Sequence, residues 1–150
     1  MGSVDEKMIA EYLVKWMPLL SLSDWDIRPV VVRKEWRKSG DIKIDEANRM
    51  AALMVRLNLD PAHLEEIVVH ELLHIKLWGL DQMIEESHDA LFGKEESEEG
   101  KRNFARGQFM QELETTTQDL TRALLDASGF EGNYLFKRVQ KQIDKEMGIE

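Results

Sequence analysis

The segment between Asp60-Pro61 and Gly79 constrains this chain more than any other, because it carries helix start and stop signals around the most apolar run in the sequence. The Asp60 side chain can accept orphan backbone donors at a helix N-terminus, and Pro61 is pre-set for the first helical position. Glu65 and Glu66 then lie near the positive end of the helix dipole. Gly79 can take the left-handed conformation that ends a helix near Trp78. The run from Ile67 to Trp78 is interrupted by His70, Glu71, His74 and Lys76. It therefore falls short of the roughly 18 to 20 consecutive apolar residues of a membrane span. The expectation is a helix of a folded domain.

Within that helix stands His70-Glu71-Leu72-Leu73-His74, the HExxH pattern. Two histidines four residues apart return to nearly the same helix face, one turn apart, so both imidazoles can meet one metal ion. Glu71, about 100° away, can flank the ion and reach a water without being a ligand. Two imidazoles, a third protein ligand and an open position are the donor set of a catalytic zinc site. A chance match in a chain of this composition is expected roughly 0.01 times. The chain has no cysteine, which excludes a thiolate zinc finger, a Cys-held iron-sulfur cluster, a disulfide framework and a cysteine nucleophile.

At 150 residues the chain is read as one domain, 1–150, long enough to bury a core. Ile9, Leu13, Trp16, Met17 and Leu20 mark an amphipathic helix over residues 6–20, ending near Pro18. Trp25 to Arg33 reads as an edge or bulged strand because of Pro29. Two further strands are expected, one around Ile42 and Ile44 and one over Ala52 to Leu59. From Glu85 to Gly107 the composition turns polar and glycine-bearing, which reads as a mobile loop. A helix from Asn103 or Gln108 to Asp126, with Phe109, Leu113, Thr116 or Thr117, Leu120 and Leu124 on one face, is stopped by Gly129. Leu135, Val139 and Ile143 then mark a last surface helix. The fold class expected is α+β: an N-terminal helix, a small three-stranded mixed or antiparallel sheet, the HExxH helix and C-terminal helices.

The 20 Lys and Arg residues against 29 Asp and Glu leave a formal charge of −9, which argues against nucleic acid as the partner despite the local Arg33, Lys34, Arg37, Lys38 cluster. The N-terminal stretch lacks a basic leader followed by an apolar region and a small-residue cleavage site. A cytoplasmic protein without a membrane partner is the expectation. The methionines are scattered and read as core filling, and Tyr12, Tyr134 and the four tryptophans read as packing residues.

The stretch IVVHELLHIKLW, preceded by a strand and an Asp-Pro helix start, resembles the active-site helix of zincin metallopeptidases. It is most like the small single-domain gluzincin-type proteins of bacteria and phages. The resemblance extends to the order helix, short sheet, HExxH helix and later helix, with one departure at Lys76, where zincins usually show an apolar residue. It implies zinc and water-mediated amide hydrolysis with Glu71 as general base. It also implies a peptide or protein substrate lying along an antiparallel edge strand, for which Ala52 to Leu59 is the candidate. The metzincin extension fails, because Leu77 and Leu80 stand at its Gly and third-His positions.

Two families differ in the third ligand. The run from Gln111 to Leu124 resembles the glutamate helix of the small phage-type zincins, whose ligand precedes a core Leu by six residues. That points to Glu114, with Glu112 as the fallback and Gln118 or Asp119 as the group fixing a ligand histidine's tautomer. His88, fourteen residues after His74, has a spacing similar to the third His of SprT-like proteases, which would make the chain a protease of that kind. Those proteins usually follow that His with Gly, here Asp89, and act near DNA. Two further readings keep the fold. One is a binding or regulatory module with little or no turnover. The other is a structural zinc held by four protein ligands including His88 and Glu114. Substrate preference, the oxyanion donor and the oligomeric state do not follow from pattern.

Overall fold

The computed structural model describes residues 2–134 and 137–148 as an α+β fold of five α-helices around a small mixed sheet. Helix α1, Glu6–Leu19, begins under Asp5, whose carboxylate accepts from the Met8 backbone N–H at 2.8 Å. Pro18 falls in its last turn, where the lost donor and the ring's clash come too late to break the helix. Ile9, Leu13 and Trp16 form its buried stripe.

Three strands follow: β1 Asp26–Val32, β2 Gly40–Asp45 and β3 Met50–Arg56. Their spatial order is β1-β3-β2, with β1 parallel and β2 antiparallel to β3. The edge position expected for β1 is found. The edge role expected for Ala52 to Leu59 is not: β3 is the central strand, and β2 takes the second edge. The physical reason lies in the alternation of β3, where Ala51, Leu53 and Val55 are buried every second residue. Strands on both edges pair the backbone of β3 while α2 packs on this apolar face, which puts β3 at the centre of the sheet and its alternate side chains in the core. Asn48 closes the β2–β3 turn, its amide held by Asp45 Oδ2 at 2.9 Å, and Arg49 adopts positive φ.

Asp60 caps the next element as expected, accepting from the Ala62 N–H at 3.0 Å. Pro61–His63 makes one 3-10 turn before α2, Leu64–Lys76. From Leu64 through Ile75, every α2 residue but His74 is buried, because the helix is flanked by α1, by β2 and β3 and by α4, Glu99–Ala127. A helix apolar nearly all round belongs in such a central place. Lys76, the departure noted in the sequence, is exposed.

Two expectations downstream are corrected. Gly79 does not end the helix: the chain passes through Leu77 into α3, Trp78–Phe92, with the Asp81 N–H bonded to Leu77 O at 2.9 Å. The mobile loop over 85–107 is replaced by the second half of α3 and the start of α4, joined by a short connection at 93–98 with one 3-10 turn. Polar composition there reflects helix faces turned to solvent, not the absence of a helix. Gly93, at φ +74, makes the stop that Gly79 was expected to make. The buried side of α4 is Leu113, Thr117, Thr121 and Leu125, rotated from the face read in sequence; Leu120 is exposed. Thr117 and Thr121 are tolerated inside because each hydroxyl donates 2.7 Å back to the carbonyl four residues earlier. Gly129 follows at φ +85, as expected, and α5 spans Lys137–Glu146. Leu135, expected on the face of that last helix, lies outside the described residues. Among the described residues no helix is long and apolar enough to cross a membrane.

Candidate metal centre

His70 and His74 lie one turn apart on α2, with ring centroids 5.0 Å apart and planes at 70°. Across from them runs α4, which brings Glu114 between the two rings. Its Oε1 lies 3.0 Å from His74 Nε2 and its Oε2 lies 3.4 Å from His70 Nε2. One turn further along α4, Gln118 Oε1 lies 2.9 Å from His70 Nδ1. An amide oxygen can only accept, so His70 Nδ1 is the donor to Gln118 and its Nε2 is turned towards Glu114.

Lone pairs of Nε2 and a carboxylate oxygen do not face each other at these distances without a cation between them. In the metal-free protein that cation is a proton. Burial pulls the His74 pKa down, but the hydrogen bond to Glu114 and the charges of Glu71, Glu114 and Asp81 outweigh it, so His74 stays protonated above its ordinary 6.5. The hydrogen bonds from His70 and His74 in turn hold the Glu114 carboxyl far below the usual carboxylate range, against the opposing effect of its burial.

The same donor set fits a divalent metal. The ligand atoms of His70, His74 and Glu114 all lie within 4.8 Å of one another. Tetrahedral zinc with bonds of about 2.0 to 2.1 Å sets neighbouring ligand atoms about 3.3 Å apart, close to the spacing from each histidine to Glu114. His70 is buried, while the Glu114 side chain is 44% exposed, so the cluster is closed on the α2 side and open on the α4 side. Glu71 is buried beside it, next to the end of β2: a Cβ built on Gly40 would stand 3.5 Å from Glu71 Cγ.

The other candidates lie elsewhere. Glu112 and Asp119 are exposed on α4, and Gln118 takes the tautomer-fixing position. His88 lies on α3 against Phe92, with ring centroids 6.1 Å apart, and is not among the converging ligands. In this arrangement His88 stands apart from the group formed by His70, His74 and Glu114. Gln118 shares the i, i+4 spacing with Glu114 that His74 shares with His70, so two helices crossing with matched turns was the signal in the sequence. Gly40 was missed, since a glycine opening a strand says nothing of what it will touch.

Comparison with protein-family models, with curated proteins and with solved structures found no match.

Proposed function

We propose that the protein is a zinc-dependent hydrolase of the zincin kind that cleaves peptide bonds, with His70, His74 and Glu114 holding the metal. The observation that carries this reading is the convergence of Glu114 of α4 on the two histidines of an HExxH helix. Zinc held there would act as a Lewis acid and lower the pKa of water towards about 7. The chain's own residues do the rest. Glu71 takes the proton of the attacking water and returns it to the leaving nitrogen. Gln118 keeps His70 in the tautomer that leaves Nε2 free. Strand β2, at the sheet's edge and packed on α2 beside Glu71, offers main-chain groups to an extended substrate.

The test pairs metal content with turnover. The parent is expected to hold one zinc per chain by elemental mass spectrometry and to cleave an unfolded protein substrate in a chelator-sensitive way. Glu71→Gln should keep the zinc and lose activity by about 10²- to 10⁴-fold, the usual scale for a general base. A parent without zinc, or a Glu71→Gln variant as active as the parent, overturns the reading. A parent that holds zinc but cleaves nothing favours the binding-module reading.

A further inference from the structure

Two described residues hold a left-handed backbone without being glycine: Ser21, at φ +56, and Arg49, at φ +51. The other described residues with positive φ are Gly93, Gly129 and Gly148. A Cβ in that conformation crowds the backbone, a cost that glycine does not carry. Neither local role calls for a side chain. Ser21 follows the end of α1, where its own N–H reaches Pro18 O at 3.2 Å and the Leu22 N–H reaches Met17 O at 2.8 Å, a helix stop that glycine usually makes. Arg49 closes the β2–β3 turn, its N–H on Glu46 O at 3.2 Å.

The two side chains meet at one place. Ser21 and Arg49 line a mostly polar cavity of about 470 Å³ between the turn before β1, the β2–β3 turn and the end of α2, with Asp24, Trp25, Glu46 and Lys76 among its other walls. That volume is in the range of small-molecule sites, about 300 to 1,000 Å³. Lys76, the point at which α2 departs from the zincin pattern, is thus a wall of this cavity. Arg49 is paired with Asp24. Glu46, Lys76 and the Ser21 hydroxyl are exposed and have no hydrogen-bond or ion-pair partner among the described residues.

The charges select the occupant. An anion alone would meet Asp24 and Glu46, and a cation alone would meet Arg49 and Lys76, so each is opposed by as many like charges as it gains partners. A molecule carrying one charge of each sign finds a partner for both. We infer that the cavity binds a small zwitterion of the amino-acid kind, apart from the metal centre. Lys76 and Arg49 take its carboxylate with the Ser21 hydroxyl as a further donor, Glu46 takes its ammonium, and half-buried Trp25 gives an apolar wall for its side chain. A free amino acid and a dipeptide both carry this pair of charges, nearer together in the first than in the second.

Isothermal titration calorimetry of the full chain with leucine and with leucylleucine tests this, with N-acetylleucinamide, which has neither charge, as the control. One site per chain is expected for a zwitterion, the tighter of the two identifying its source, and no binding of the control. Lys76→Met and Glu46→Gln should each weaken binding by about 2- to 5-fold, the worth of an exposed ion pair. Ser21→Gly and Arg49→Gly should weaken it without lowering the melting temperature, because glycine suits the left-handed backbone better. Binding should persist in chelator-treated protein, which keeps this result apart from the metal reading. The inference is overturned if neither zwitterion binds, if the control binds as well as they do, if Lys76→Met binds like the parent, or if binding vanishes with the metal. A fall in melting temperature in either glycine variant would assign that side chain to the fold and overturn it too.

Discussion

Gln118 Oε1 accepts from His70 Nδ1 at 2.9 Å, one turn of α4 beyond the carboxylate that faces His70 Nε2. The two ends of one imidazole are thus held by residues four apart on a single helix, so α4 supplies both the facing carboxylate and the group that fixes the tautomer. Gln118→Ala is expected to weaken zinc binding by about 10- to 100-fold while leaving one site per chain, the usual effect of losing such a partner. Competition with a chromogenic chelator measures it, and an affinity equal to the parent's would show that the hydrogen bond does not orient His70.

Glu114 makes the metal-free protein sensitive to pH on both sides. Its folded pKa is depressed, so its contribution to stability is present above its ordinary 4.5 and is lost as the pH falls below that. His74 is raised, so its contribution is present below 6.5 and is lost as the pH rises through its folded value. The difference in melting temperature between the chelator-treated parent and Glu114→Gln should therefore be greatest between 4.5 and 6.5 and shrink on either side. Zinc must displace the proton on His74, so zinc affinity should climb as the pH rises through that group's raised value. A flat difference across the range would mean that Glu114 does not face the histidines in solution.

Local signals in the sequence carried the Asp60 helix start and the histidine pair, because each depends on neighbours within one or two turns. Asp60 caps where its side chain allows, and His70 and His74 share a face whatever surrounds them. What was not legible depends on partners distant in the chain. β3 is central because β1 and β2 both pair with it, and those partners cannot be seen in β3 alone. The polar run over 85–107 was helix although many of its charged side chains face solvent; Arg106 and Glu85 meet where α3 and α4 pair. Glu114 stood out only through a family resemblance, since a glutamate on a helix is usually solvated.

Glu65 holds the start of α2 onto α1. Its Oε1 accepts from Lys15 Nζ at 2.5 Å and from Trp16 Nε1 at 2.9 Å, and Trp16 is fully buried. Glu65→Ala would strand the indole N–H inside the core, at a cost of about 1 to 3 kcal/mol. Glu65→Gln keeps an acceptor for the indole and loses only the attraction to Lys15, worth about 1 kcal/mol or less for a pair with one exposed partner. Chemical denaturation should rank the variants parent, Gln, Ala in falling stability, and equal losses for both would assign the effect to charge and not to the stranded donor.

Gly40 sets how closely β2 approaches α2. A Cβ there would stand 2.5 Å from Ile67 Cγ2, 3.3 Å from Met54 O and 3.5 Å from Glu71 Cγ. The first of these contacts is too short to exist, so in Gly40→Ala either Ile67 turns within a filled core or β2 moves away from α2. Overpacking of this kind typically costs about 1 to 3 kcal/mol. Moving β2 also displaces the edge strand from Glu71, so under the peptidase reading turnover should fall further than in Ile67→Val, which loosens the same contact without pushing the strand. Zinc affinity should hold in both, because His70, His74 and Glu114 are on α2 and α4 and not on the sheet. A Gly40→Ala protein as stable and active as the parent would mean that the close approach of β2 to α2 is not required.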